Sequence, residues 1–154
     1  MNGYLMDTNH VAAWEEDRQS VLAKINSLPK DTLIFASAIT LGEIAAGHEM
    51  TQGDPRRRQL VRNFLNIYVV PSALSITHST AQPYGEIIGR IWRKRPPSNP
   101  NTKTEAHLVS LGVDINDVWI VACAWEHGLT LLTTDAMACI KEVVSPEVEW
   151  DSWL

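Results

Sequence analysis

Cysteine is scarce in this chain of 154 residues: Cys123 and Cys139 are the only two, and both lie in apolar surroundings. Neither has a metal-type neighbour, which argues against a disulfide-stapled scaffold or a thiolate metal site and for buried, reduced thiols. Long apolar runs are missing too. Nothing approaches the roughly 20 residues needed to cross a bilayer, so no membrane partner is expected. The N-terminus lacks the basic, apolar and small-residue succession of a secretory signal, and these absences together lead us to expect a cytoplasmic protein. Histidines at zinc-binding spacing are absent as well: His10, His48, His78, His107 and His127 include no pair at i and i+4. His127 reads as a helix-end residue and His48 as a helix-face residue, and no catalytic histidine is expected. Positive charge is short overall, with a net charge of −5 at pH 7, the wrong sign for a nucleic-acid partner.

What is present points elsewhere. The apolar content of 45% supports a globular protein, and the length suits one domain, 1–154, that buries roughly 70% of its unfolded surface. The few cations are clustered: Arg56, Arg57, Arg58 and Arg62 form one block, and Arg90, Arg93, Lys94 and Arg95 another. Such blocks can track a phosphate backbone even on an acidic protein, or can be a solvated helix face. Among the six tryptophans, Trp119 and Trp125 read as core, while Trp14, Trp92, Trp150 and Trp153 are better placed for a dimer or partner surface.

Strand and helix signals alternate, which predicts an α/β domain with a mainly parallel sheet. Strands are expected at Gly3–Met6, Thr32–Ala36, Ile67–Val70 and Leu129–Thr133, with Val148–Leu154 a terminal strand or docking segment. Helices are expected at Asn9–Trp14, Gln19–Leu28, from near Ser37 to Met50, and from Asp54-Pro55 to Leu65, where Asp caps and Pro opens the helix. Thr77–Lys94 is a long helix with an irregularity at Pro83, and Arg95–Thr102 an exposed loop. Asn116 is expected to cap Asp117–His127, ended by Gly128 in the left-handed conformation, and Ala136–Ile140 is a short helix.

Four acids stand out on this scaffold. Asp7 closes the first strand, Glu43 lies in the opening turns of the helix after the second, Asp117 opens a helix, and Asp135 follows the strand after it. In a parallel α/β sheet all four positions fall at the carboxyl edge, where ligands bind. Each acid alone has a plainer explanation: a first-turn acid for Asp117, a turn residue or N-cap for Asp7 and Asp135. Glu43 is harder to dismiss, because it sits among Ile39, Leu41, Ile44 and Ala45, and a carboxylate facing a core needs a partner. Two unit charges ~4 Å apart repel by about 4 kcal/mol at an effective dielectric of 20, so a cluster demands raised pKa values or a cation. Oxygen ligands without His or Cys suit Mg²⁺ or Mn²⁺, and the chemistry implied is phosphodiester hydrolysis.

The same residues carry a resemblance. Tyr4-Leu5-Met6-Asp7-Thr8-Asn9, Ser37-Ala38-Ile39-Thr40-Leu41-Gly42-Glu43-Ile44, Asp117-Val118-Trp119-Ile120-Val121-Ala122 and Leu131-Leu132-Thr133-Thr134-Asp135 resemble, in order and spacing, the motifs of PIN-domain ribonucleases, and among them VapC-type toxins. The resemblance implies a PIN-like three-layer α/β/α domain with a mainly parallel central sheet. It implies that Asp7, Glu43, Asp117 and Asp135 are catalytic, bind Mg²⁺ or Mn²⁺ and cut RNA, with Thr8, Asn9 and Thr133 orienting carboxylates or water. It further implies a homodimer and a cognate antitoxin protein. Asp114, three residues before Asp117, departs from the pattern as either an extra ligand or a loop cap, and the 95–102 loop is long for a minimal member. Arg56, Arg57, Arg58, Arg62, Arg93, Lys94 and Arg95 are the candidate RNA-binding residues.

Other readings fare less well. An aspartyl-phosphate phosphatase with Asp7 as nucleophile would want an acid at position 9, which is Asn. A phosphorylation-receiver domain would want adjacent acids near the first strand. A non-catalytic PIN-fold module that binds RNA or protein would tolerate lost acids, and here all four are acidic.

Overall fold

The computed structural model describes residues 3–154. Its centre is β1 (Gly3–Met6), bonded in parallel on both sides: Met6 sits opposite Ala36 of β2 (Leu33–Ser37) and Leu132 of β4 (Thr130–Leu132). Outside these lie β3 (Ala73–Leu74) and β5 (Trp150–Asp151), giving an all-parallel sheet of order β3-β2-β1-β4-β5. Chain order runs outward from β1 in one direction and then resumes on its other side, so the strand order reverses beside β1 at the sheet's carboxyl edge.

Strand alternation builds the two cores. Leu5 and Leu131 point into one cluster with Ile87, Ile91, Val118, Val121 and Ile140. Their neighbours Met6 and Leu132 point the other way, into a cluster with Val11, Val21, Val69 and Trp153. The first cluster is covered by α5 (His78–Lys94), α6 (Thr104–Ser110), α7 (Ile115–His127) and α8 (Ala138–Val144); α1 (Thr8–Glu15), α2 (Gln19–Ser27) and the end of α4 (Pro55–Phe64) cover the second. With α3 (Ala38–Thr51) leaving β2, this is a three-layer α/β/α domain.

Caps explain several boundaries. Ser37 accepts from the Thr40 N–H at 3.1 Å to start α3, and Asp54 accepts from the Arg56 N–H with Pro55 in first position to start α4. Gly128, at φ 62°, ends α7 in the left-handed conformation. Pro83 lies within α5, and the helix runs through it.

Five expectations need correction. The strand expected at Ile67–Val70 is a π turn, Leu65–Val69, that carries α4 onward, followed by a 3-10 turn, Val70–Ser72. The apolar run looked like a buried strand, yet only Val69 is buried; Ile67 is 64% exposed and Tyr68 56%, and the strand forms only after Pro71. α6 fills a stretch from which no element was expected. The cap of α7 is Asp114 rather than Asn116, because its carboxylate accepts from the Asn116 N–H at 2.7 Å. The last helix begins at Ala138, after Met137 at φ 40°. Trp153 is buried against Tyr4 instead of forming a surface; Trp125 does pack against the first cluster, whereas Trp119 is half-buried and stacked on Tyr84 at 3.7 Å.

Position 67 tests the first correction. Ile67→Lys changes unfolding free energy by less than ~0.5 kcal/mol, whereas Leu131→Ala costs about 2–5 kcal/mol. Urea titration of both variants checks this; a loss of core size at Ile67 would restore the buried strand.

Candidate active site

Asp7 is placed by the sheet and by the helix that follows. Its backbone N–H continues the β1–β4 ladder by donating to the Leu132 carbonyl at 3.1 Å, and its side chain caps α1. Oδ1 accepts from the His10 N–H and meets His10 Nδ1, both at 2.9 Å. Oδ2 is buried and has no hydrogen-bond partner. A carboxylate 3% exposed with one bare oxygen carries a desolvation penalty that a cation would relieve.

The other acids come to this edge from their own elements. Thr8, the first residue of α1, donates to Glu43 Oε1 at 3.1 Å and so ties α1 to α3. Asp117 lies in the first turn of α7 and is half-buried. Burial pushes its carboxyl up to about 6, and the charges of Asp114, Asp135, Glu43 and Asp7 add to the rise. The other four acids expected from the sequence therefore all act on Asp117 through space. They do not form a finished cage: among the described residues no three His, Cys, Asp or Glu side chains are gathered closely enough to hold an ion. Coulombic reach exceeds coordination distance, so the two observations are compatible.

Individual placements differ. Asp135 is exposed, in a turn where its N–H donates to Thr133 Oγ1 at 3.0 Å. Asp114 serves as the cap described above, and its charge acts on Asp117 more strongly than that of any other acid in the cluster. Asn9 is exposed on α1. Beside the acids, a cavity of about 250 Å³ is lined by Asp114, Asp117, Gly112, Met137 and Cys139.

The basic blocks are partly spent on the fold. Arg57 pairs with Glu15, and Lys94 and Arg95 share Glu142 at 3.0 and 3.1 Å. Arg90 bridges Glu86 and Glu147 and lies over the Trp125 ring. Among the described residues Arg56, Arg58, Arg62 and Arg93 have no carboxylate within 4 Å. Sequence reasoning missed His10, which is fully buried against Asp7. The available signal was its position three residues after Asp7, one helical turn away.

Asp117 carries a pH prediction. Its folded pKa lies above the ordinary 3.8, so its contribution to stability is intact below about pH 4 and is lost as pH rises through 6. Metal-free protein should lose on the order of 2 kcal/mol over that range from this group, and Asp117→Asn should abolish that component. Urea titrations from pH 4 to 7 check it; identical pH profiles for the two proteins would remove Asp117 from the acidic cluster.

Comparison with known proteins agrees with this fold. The PIN domain family matches residues 4–143. No curated protein matches the chain in sequence. Similar solved structures include DNA-bound VapBC from Salmonella typhimurium, at 20% identity over 100% of both chains with a TM-score of 0.70. VapBC2 from Rickettsia felis, bound to a promoter DNA fragment, is similar at 19% identity over 99% of both chains and a TM-score of 0.69. VapBC-1 from nontypeable Haemophilus influenzae matches at 19% over 98% of both chains, with a TM-score of 0.67. At such identities the structural likeness speaks for the fold, and it is the sequence match over most of the length that decides kinship: the chain belongs to the PIN domain family.

Proposed function

We propose that this chain is a metal-dependent endoribonuclease that hydrolyses RNA phosphodiester bonds, and that it is the toxin of a toxin–antitoxin pair. The observation that carries the reading is the buried, unpartnered Oδ2 of Asp7, at the edge where Asp117 feels four other carboxylates. Asp7, Glu43, Asp117 and Asp135 would hold Mg²⁺ or Mn²⁺, with Asp114 an added ligand or only a cap. A divalent cation bound there supplies Lewis acidity toward a phosphate oxygen and makes water a better nucleophile at neutral pH.

The chain's own groups do the placing. Asp7 offers Oδ2 while Oδ1 is occupied. Thr8 holds the Glu43 carboxylate by its hydroxyl, and Thr133 fixes the turn that carries Asp135. Asn9, exposed beside Thr8, is free to meet substrate or water. The unpaired arginines bind phosphates and set RNA against the acidic edge. Likeness to VapBC structures supports an antitoxin partner, and a homodimer is part of the same proposal. Among the described residues no single helix is long and apolar enough to cross a membrane; a cytoplasmic place of action is part of the same proposal.

A non-catalytic PIN-fold module is favoured by one observation, the lack of a ready-made cage. Cleavage decides between the two. With Mg²⁺ or Mn²⁺ and a mixed pool of structured RNA, the protein should cut at discrete positions and stop on adding EDTA. Asp7→Asn and Asp117→Asn should each lower the rate on the order of 100-fold or more while keeping the circular dichroism of the parent. No cutting by the metal-loaded protein, or full activity in both variants, would leave the binding module. Arg62→Ala and Arg93→Ala should weaken RNA binding across sequences and lower the salt slope by about 1 each; an unchanged slope would remove these residues from the RNA path.

A further inference from the structure

His10 lies in α1 with no exposure to solvent, and both of its ring nitrogens are engaged. Its Nδ1 is 2.9 Å from Asp7 Oδ1, and its Nε2 is 3.1 Å from the backbone nitrogen of Trp153. A backbone N–H can only donate, so Nε2 is the acceptor and carries no hydrogen. In the neutral ring the hydrogen then sits on Nδ1, where it is donated to Asp7. The network thus sets one tautomer.

The Trp153 N–H is itself held firmly. β5 pairs with β4 through Leu132 and Asp151, the Trp153 ring packs edge-on to Tyr4 at 5.0 Å, and its Nε1 donates to Asp151 Oδ2 at 3.3 Å. A rigid path therefore runs from the last strand, through one imidazole, to the first acid of the site. At its end Asp7 Oδ1 takes two donors from His10, while Oδ2 takes none.

We propose that His10 is a positioning residue: held as the Nδ1–H tautomer by the Trp153 N–H, it fixes the Asp7 carboxylate by Oδ1 and reserves Oδ2 for the cation. Metal affinity is thereby linked to the docking of the chain's last residues. The inference rests on the metal-site reading above, because it assigns the free oxygen to that ion. A buried histidine could instead serve packing alone, and the two roles separate in paired variants. Asn at position 10 places an amide near the Nδ1 position and keeps a donor for Asp7. Gln reaches the Nε2 position, keeping the bond from Trp153 but losing that donor.

The test uses the full chain and Mn²⁺ as probe, with affinity from titration calorimetry and thermal stability measured in parallel. The parent should bind Mn²⁺, and nitrogen-15 spectra of the metal-free protein should show a protonated Nδ1 and a bare Nε2. His10→Asn should stay within about threefold of the parent, and His10→Gln should fall by about 10- to 100-fold, the range for lost outer-shell partners, without a matching gap in melting temperature. Equal affinities in the two variants, whether both kept or both lost, overturn the positioning role and leave the metal site standing. A protonated Nε2 overturns it as well. A parent that binds no Mn²⁺ overturns the metal reading and this inference with it.

Discussion

A parallel strand bonded on both sides has no free edge, and β1 holds that position here, between β2 and β4. Every strand points the same way, so every carboxyl end opens on one side. Asp7 is the residue after β1, Ser37 ends β2 and caps the helix bearing Glu43, and Thr133 follows β4 two residues before Asp135. Asp117 joins them because α7 starts at this edge and runs back before β4 returns. Shift β1 by one residue and Leu5 and Met6 exchange cores, and Asp7 no longer continues the ladder to Leu132.

The sheet brings the acids together but does not make them comfortable. Asp7 is buried with a bare oxygen, and Asp117 bears a carboxyl that burial first, and the charges of its neighbours second, keep from ionising readily. Neither is a stable arrangement by itself, since an uncompensated buried carboxylate costs folding free energy. Folds keep such features where a ligand relieves them. Local devices limit the freedom of these groups: a threonine on Glu43, a hydroxyl-closed turn at Asp135, a cap at Asp114 and a histidine on Asp7.

How much of this could be read from the sequence depends on the range of the interactions involved. The acids and the parallel sheet were legible because each acid follows a strand or opens a helix, and topology alone carries those positions to one edge. The run Ile67-Tyr68-Val69-Val70 misled because composition does not distinguish a buried strand from an exposed turn, and the winding of α4 continued through it. Asp114 and Asn116 are both good caps, and only the bond at 2.7 Å chooses between them. The His10 network was only half legible, for another reason. Its partners are Asp7, one turn away, and Trp153, 143 residues away, and no local pattern announces the second.

The cations show the same limit and alter the expected RNA surface. On a chain with a net charge of −5, two basic blocks could each be read as a phosphate-tracking patch or as a solvated helix face. In the fold, Arg90, Lys94 and Arg95 fasten α5 to Glu142 and Glu147 in and after α8, and Arg57 fastens α4 to Glu15 at the end of α1. A cation already paired with a carboxylate has its charge locally offset, so it adds less attraction for a phosphate than a free one. Under the nuclease reading, counterion release would come mainly from Arg56, Arg58, Arg62 and Arg93, a narrower set than the blocks suggested. With so few free cations against so many acids, long-range attraction for an RNA partner would be weak. Under the nuclease reading, contacts at the acidic edge must then supply a larger share of binding, and an ion held there would act on affinity as well as on chemistry.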